Sequence, residues 1–174
     1  MALGDLLDAF AASDPVPGGG AAAALAGALG SSLLVMVAGL PRTRTGTAEQ
    51  AADLAEASAR LRPIRDRLTS LVDEDSAAGG ATEAPMDTMR SCQQALRGAA
   101  IIAENGDPGA SADTGTGVAL LLAGLRGAGI SVDVNLGSVG DPAFVERVGA
   151  ERRQLAADGE ADGRRAMDAL QRLG

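Results

Sequence analysis

Residues Ala21 to Leu40 form a run of twenty residues without a charged side chain, made almost entirely of Ala, Gly, Leu and Val. Apolar residues lie all round a helix of this sequence, which is typical of a helix buried on every side. The run is also long enough to cross a membrane. Its many small residues, and the lack of a basic segment before it, favour the central helix of a soluble bundle, so we expect neither a membrane span nor a signal peptide.

The segment before this run holds Pro17, Gly18, Gly19 and Gly20. Proline ends a preceding helix, whereas glycines leave the backbone N–H groups without a Cβ in front of them. The first amides of a helix lack an intrahelical partner and lie at the positive end of its dipole, so a ligand oxygen or carboxylate can bind there. The alternative is a plain loop between two buried helices.

The rest of the chain predicts further helices and no second domain. Ile130 to Leu136 is β-branched and alternating, as in a strand, but a lone strand has no partner here, so a helix fits at least as well. We expect Thr47 and Asp113 to cap helices, and the last helix to fray at Gly159 to Gly163. The predicted helices span residues 4–12, 47–78, 82–105, 111–129 and 142–173.

These patterns predict an all-α fold, a single-domain bundle over residues 1–174 around the buried Ala-rich helix. Small side chains bury little apolar area each, at about 25 cal/mol per Å². Association into a homodimer is one way to add to that burial.

Charge and residue types exclude several functions. The net charge of −8 argues against nucleic-acid binding, which needs clustered cations. The chain has no His, the commonest acid/base group near neutral pH and the commonest metal ligand, and we expect no metal site. Proton transfer must then come from carboxylates, from the ligand or from Cys92, the single cysteine, which fits packing better than catalysis.

Three acidic or amide features accompany the glycines. Asp73, Glu74 and Asp75 end a predicted helix, where the dipole disfavours negative charge and can raise a carboxylate pKa. The alternative is an ordinary solvated helix surface. Asn135 offers hydrogen bonds either to the amide edge of a ligand or to a neighbouring loop, and neither it nor Asp113 decides a function alone.

Taken in order, four segments resemble the cyclodeaminase/cyclohydrolase family: residues 14–20, 71–77, 105–113 and 132–136. That family includes the C-terminal domain of formiminotransferase-cyclodeaminase and methenyltetrahydrofolate cyclohydrolases. The resemblance covers nearly the whole chain. It implies an all-helical homodimer that acts on folate-bound one-carbon units, with no cofactor beyond the tetrahydrofolate substrate. Without a signal peptide or a membrane span, a cytoplasmic location is the default expectation.

The resemblance also implies roles for individual residues. Asp75 would be the general acid/base, tuned by Asp73 or Glu74. Pro17 and the three glycines would let the folate approach the backbone, and Asp113 and Asn135 would hydrogen-bond the pterin. Arg42 and Arg44 would meet the glutamate tail, with a solvated loop as the alternative.

The chain departs from the family between residues 78 and 79, where Ala78 is followed directly by Gly79-Gly80 and a segment that the family carries is missing. Two functions therefore stay open. One is an enzyme, either a formimidoyltetrahydrofolate cyclodeaminase or a methenyltetrahydrofolate cyclohydrolase. The other is a catalytically impaired relative that binds folate or serves as a helical partner subunit.

Overall fold

Six α-helices and one short 3-10 helix make up the part of the chain that the computed structural model describes, residues 3–13, 16–77 and 82–172. The predicted all-α single-domain bundle is confirmed, with no strand among these residues. The junction at residues 78 and 79 lies outside them, as do Asp14 and Pro15. The helices are α1 (Leu3–Ala11), α2 (Gly19–Ala38), α3 (Ala48–Ala77), α4 (Glu83–Asn105), α5 (Ser111–Leu136) and α6 (Pro142–Arg172), and Pro108–Ala110 is the 3-10 helix.

The helices form two layers, with α2 and α5 in one and α3, α4 and α6 in the other. Helix α2 packs along α5 and α3, and α4 packs along α3, α5 and α6. A Cβ added at Gly30 would lie 2.6 Å from the carbonyl oxygen of Gly117, and one at Gly127 would lie 3.1 Å from the Cβ of Ala23. Because the second contact is earlier in α2 but later in α5, these two helices run antiparallel.

Three helices meet where α2, α4 and α5 cross around Cys92. A Cβ at Gly124 would lie 2.8 Å from the carbonyl oxygen of Ala23, and one at Gly27 would lie 2.7 Å from the Cys92 Sγ. Only glycine lets the backbones approach this closely. Burial raises the pKa of Cys92 to about 12, which keeps the thiol protonated and fits the packing role predicted for it.

Tertiary packing determines the structure of two segments, one for which the sequence leaves helix and strand open and one for which the prediction is wrong. Ile130 to Leu136 is helical and completes α5, as the absence of a strand partner predicts. The predicted fraying at Gly159 to Gly163 is wrong, because α6 continues through both glycines. A Cβ at Gly159 would meet Leu125 and one at Gly163 would meet Leu122, so these glycines let α6 lie close against α5.

Of the two predicted caps, one is confirmed and one is wrong. The hydroxyl of Thr47 accepts a hydrogen bond from the Gln50 amide at 3.3 Å at the start of α3. Helix α5 begins at Ser111, as predicted, but its N-cap is Ala110 rather than Asp113. Asp113 therefore lies inside the first turn, where its charge still faces the positive end of the dipole.

Helix α2 is buried on three sides rather than all round. It contacts α3, α4 and α5, but Leu29 and Met36 on its remaining face are 52% and 42% exposed. Among the described residues, α2 and the segment Pro108–Leu136 are long and apolar enough to cross a membrane. Their close contacts with the other helices are those of core helices in a bundle.

Different helix ends lie at the two ends of the bundle. Asn105 Nδ2 donates to Asp53 Oδ2 at 3.1 Å, so the end of α4 lies beside the start of α3. The opposite end, which we call the glycine end, holds the start of α2 and the ends of α3 and α5. Each candidate functional residue is located below by the end of the bundle at which it lies.

We expect Gly124→Ala to lower the free energy of unfolding by about 3 kcal/mol, because the new methyl group would overlap the backbone of α2. Gly115→Ala is the matched control, since its Cβ would lie at an ordinary 3.6 Å from Leu170. Alanine favours helix, so the control should keep or raise stability by up to about 1 kcal/mol. Urea unfolding followed by circular dichroism measures both, and equal stabilities would contradict this packing.

Candidate active site

At the start of α2, Gly19 is exposed and Gly18 is half-buried, whereas Gly20 is buried, so contact of a ligand with Gly20 stays a prediction. Gly18 is the N-cap in an extended conformation, with φ −107° and ψ −163°, and no described side chain caps the helix. Gly19 is exposed, and a Cβ there would meet nothing within 4 Å. We call Gly18, Gly19 and Gly20 the glycine ledge. With Pro17 before it, the ledge offers N–H donors to an oxygen of a bound molecule.

The predicted carboxylates lie at the same end of the bundle. Leu68 of α3 packs against Gly27 of α2, and the short connection between these helices makes them antiparallel. The backbone of Asp75, two turns beyond Leu68, therefore comes level with Gly20, two turns before Gly27. Asp73 is exposed in the last turns of α3. The side chain of Asp75 lies outside the described part of the chain.

The other neighbours of the ledge are held by ion pairs or lie in the last turn of a helix. Glu74 accepts a hydrogen bond from Arg67. Half-buried Asn135 lies in the last turn of α5, beyond the contact of Gly127 with Ala23, and so at the glycine end. Nearby, Arg152 donates to Asp133 at 2.6 Å and ties α6 to α5.

Three predicted binding residues lie at the far end of the bundle: Arg42, Arg44 and Asp113. Arg44 donates to the carbonyl oxygens of Glu104 at 2.6 Å and Ala103 at 2.8 Å, which caps the end of α4. The Arg42 side chain is 79% exposed, with its Nε 3.9 Å from Asp107. Helix α2 separates this end from the ledge by about 27 Å. Within one chain, neither arginine joins the glycine ledge, and their contact with a glutamate tail stays a prediction.

Asp113 and Asn135 lie at opposite ends of α5, exposed and half-buried respectively. At 1.5 Å per residue, α5 separates them by about 33 Å. One pterin ring is too small to contact both in a single chain. Sequence spacing cannot reveal this, because both residues flank apolar helical sequence in the same way.

A groove lies between α3 and α4 that the sequence analysis does not predict. Its volume is about 750 Å³, and Leu61, Ile64 and Ile101 contribute apolar surface to it. Arginines line both walls, seven residues apart on each helix, a spacing that puts each pair on one helix face. That repeated spacing was the available signal. The four arginines are Arg60 and Arg67 of α3 and Arg90 and Arg97 of α4.

An ion-pair network around Asp87 links α3, α4 and α6 beside this groove. Asp87 accepts hydrogen bonds from Arg67 and from Arg90, each at 2.7 Å, and Arg90 also donates to Glu151 at 2.7 Å. Partial burial raises the pKa of Asp87, but the two arginine hydrogen bonds outweigh burial and hold it below its ordinary value. The hydrogen bond to Glu151 is the main cause that raises the pKa of Arg90.

Comparison with known proteins shows what the whole chain is similar to. The formiminotransferase-cyclodeaminase family model matches residues 2–79 and 76–154. A methenyltetrahydrofolate cyclohydrolase of Methylorubrum extorquens is 32% identical, over 89% of this chain and 88% of its own length. The crystal structure of formiminotetrahydrofolate cyclodeaminase from Thermotoga maritima superposes with a TM-score of 0.91, at 23% identity, over 98% of this chain and 96% of that one.

The family match is interrupted where the chain departs from the family pattern. Its two stretches meet at residues 76–79. The alignment with the cyclohydrolase spans 184 residues, more than the 174 of this chain, so the relative has residues without a counterpart here. The interruption lies next to Asp75.

We expect the network around Asp87 to make stability depend on pH. The pKa of Asp87 is lower in the folded protein than in the unfolded chain, where it is about 3.9. The stabilisation that its ionised carboxylate gives is therefore present above that unfolded value, and it is lost as the pH falls through the folded pKa. Asp87→Asn should therefore cost about 1 kcal/mol near neutral pH and progressively less below about pH 4.

Urea unfolding of both proteins between neutral and acidic pH gives this difference. The control is Asp66→Asn, which removes an exposed carboxylate paired with its neighbour Arg65 and should cost less near neutral pH. A loss in Asp87→Asn that stays constant into acid would contradict the role of the network.

Proposed function

The chain belongs to the formiminotransferase-cyclodeaminase family, and we propose on that basis that its glycine end binds a folate and interconverts its one-carbon unit. The observation that carries this proposal is that the glycine ledge and the end of α3 lie side by side at the same end of the bundle. The backbone donors of Gly18 and Gly19 and the exposed carboxylate of Asp73 share one end of the bundle there. Both features come from the segments on which the family resemblance rests.

We propose cyclohydrolysis of methenyltetrahydrofolate as the first reaction, supported by the 32% identical cyclohydrolase. Water attacks the carbon between N5 and N10 and loses one proton. The carbon–N5 bond then breaks as N5 is protonated and the remaining hydroxyl proton leaves to form the formyl carbonyl, so that one proton is released overall. The product is formyltetrahydrofolate. The substrate carries a delocalised positive charge at this carbon, so a nearby carboxylate both attracts the substrate and accepts the proton.

Cyclodeamination of formimidoyltetrahydrofolate is the second candidate, supported by the family model. Here N10 attacks the carbon of the protonated formimidoyl group on N5 and loses its proton, and the amine nitrogen takes up one proton and leaves as ammonia, which gives the methenyl cation. The same acid/base group serves both reactions. Because the chain has no His, we assign the proton transfer to Asp75, with Asp73 as the neighbouring charge that tunes its pKa.

The glycine ledge would orient the substrate rather than transfer protons. Its amides lie at the positive end of the α2 dipole, which repels the cationic reacting carbon and attracts carbonyl or carboxylate oxygens. We therefore place a pterin carbonyl or a substrate carboxylate at Gly18 and Gly19, because Gly20 is buried in the single chain. The reacting carbon then faces the end of α3.

We also propose a cytoplasmic homodimer. The outward face of α2 joins that of α5, where Ile130 and Val134 are 63% and 70% exposed, and α2 carries no charge. An apolar face of this kind marks an interaction site. A two-fold axis across it would set the helices of the two subunits antiparallel and bring the partner's Asp113 towards the ledge. Two subunits would then supply the site residues that one chain keeps apart.

The test of the enzyme proposal is the loss of near-ultraviolet absorbance of methenyltetrahydrofolate, with and without protein. We expect acceleration over the spontaneous rate, and a loss of about 100-fold in Asp75→Asn. Gly19→Ala should fold normally, since its Cβ meets no protein atom, but should weaken substrate binding. Asp66→Asn, far from the ledge, is the charge control.

A folded protein that fails this assay is either a strict cyclodeaminase or the impaired relative, and a second assay separates these two. If the folded protein does not accelerate the absorbance change, ammonia release from formimidoyltetrahydrofolate decides between a strict cyclodeaminase and a protein without activity. Near-normal turnover of Asp75→Asn would remove Asp75 from the mechanism.

For the homodimer, we expect light scattering to give twice the chain mass of 17.2 kDa. Leu29→Arg places a charge on the apolar face, at a position exposed in the single chain, and should give the monomer mass without unfolding it. Thr69→Arg, on the exposed surface of α3, is the control and should stay dimeric. A monomeric wild-type protein, or a dimer that survives Leu29→Arg, would contradict this interface.

A further inference from the structure

Ser131 of α5 lies beside the glycine ledge. A Cβ added at Gly127 would lie 3.1 Å from the Cβ of Ala23, where α5 runs antiparallel along α2. Ser131 follows Gly127 by about one helical turn, and Gly19 precedes Ala23 by about one turn, so both lie on the same side of this contact. Residues one turn apart share a helix face. The Ser131 side chain is therefore placed towards the start of α2, level with Gly19.

The hydroxyl group of Ser131 is held only weakly by its own helix. It donates to the carbonyl oxygen of Gly127 at 3.4 Å. Hydroxyls elsewhere in the described helices make the same kind of bond at 2.8 Å in Ser32 and Thr116, and at 3.2 Å in Ser70. A hydroxyl hydrogen bond is usually shorter than 3.0 Å. Half-buried Ser131 can therefore turn towards a bound molecule without giving up a strong hydrogen bond.

The start of α2 lies between the ends of α3 and α5. Both of these helices pack along α2, and among the described helices they have no comparable contact with each other. The exposed carboxylate of Asp73 is on the α3 side and Ser131 is on the α5 side, with the backbone of Gly18 and Gly19 between them. No protein atom lies within 4 Å of a Cβ added at Gly19. A molecule bound there meets a carboxylate, backbone donors and a hydroxyl group in that order.

One edge of a tetrahydropterin ring carries groups that complement this order. Its ring carbonyl lies between N5, which holds the one-carbon unit, and N3–H, which is a hydrogen-bond donor. With the carbonyl oxygen on the amides of Gly18 and Gly19, one orientation turns the cationic carbon towards the end of α3 and N3–H towards α5. The opposite orientation would turn the cation away from the carboxylate.

We infer that Ser131 accepts a hydrogen bond from N3–H of the pterin and so determines which way round the ring binds. A serine oxygen has two acceptor lone pairs, so it can accept this bond while its proton stays on the Gly127 carbonyl. The inference rests on the proposed function, because it takes a folate as the ligand. Ser131 and the ledge belong to the same chain, so the contact does not depend on the homodimer.

Ser131→Ala removes the hydroxyl group and should fold, because alanine favours helix. We expect the Kd of 5-formyltetrahydrofolate, measured by isothermal titration calorimetry, to rise about fivefold. The KM of methenyltetrahydrofolate should rise by a similar factor with kcat unchanged, since the contact is the same in the substrate and the transition state. Ser70→Ala is the matched control: it removes an exposed hydroxyl that bonds within α3, and should leave the Kd and KM unchanged. Circular dichroism checks that both variants are folded.

Methylation of the ligand at N3 tests the hydrogen bond itself. N3-methyl-5-formyltetrahydrofolate has no N3–H to donate, so we expect it to bind the wild-type protein about fivefold or more weakly than the parent ligand. The same methylation should weaken binding to Ser131→Ala by a smaller factor, because that variant has already lost the acceptor. Two changes that remove one shared contact are not additive.

The binding measurements distinguish failure of this inference from failure of the proposed function. A folded wild-type protein that does not bind 5-formyltetrahydrofolate would overturn the folate proposal, and the role of Ser131 with it. Where the wild-type protein binds, an unchanged Kd in Ser131→Ala would overturn the role of Ser131 alone. Additive effects of methylation and Ser131→Ala would do the same, and so would a loss of kcat without a change in KM, which would place Ser131 in the chemical step.

Discussion

The close approach of α2 to α5 and α4 around Cys92 is the constraint on which the rest of the structure depends. Gly30 and Gly124 bring the backbones of α2 and α5 into direct contact, and Gly27 leaves room for the Cys92 side chain, which a single methyl group would prevent. Such contacts fix both the direction and the register of α2 against α5. Because α3 follows α2 by a short connection, the glycine ledge, the end of α3 and Asn135 then fall at one end of the bundle.

The helices could be predicted because each has an apolar pattern and recognisable ends, such as the Thr47 cap. The errors arose where another element decides the outcome. Gly159 and Gly163 suggest fraying by their low helix propensity, but contact with α5 stabilises the helix there. The uniformly apolar sequence of α2 cannot distinguish a helix that is buried on every side from one that keeps an exposed face, as α2 does at Leu29 and Met36.

The candidate site was only partly predictable for the same reason. The glycine ledge and Asp73 to Asp75 are local motifs, and helix direction then sets them side by side. Arg44 and Asp113 are equally recognisable locally, but the antiparallel packing carries them to the far end, where Arg44 caps α4. The α3–α4 groove needs two helices to exist and could be suggested only by the paired arginine spacing.

The central claim is that a folate binds at the glycine end, and hydrogen–deuterium exchange with and without a stable folate analogue tests it most directly. The account predicts slower exchange in the peptides that cover residues 16–23 and 69–77, because the ligand accepts hydrogen bonds from the ledge and orders the end of α3. Protection confined to the groove, at residues 57–67 and 90–101, would contradict the account and move the ligand to the outer layer.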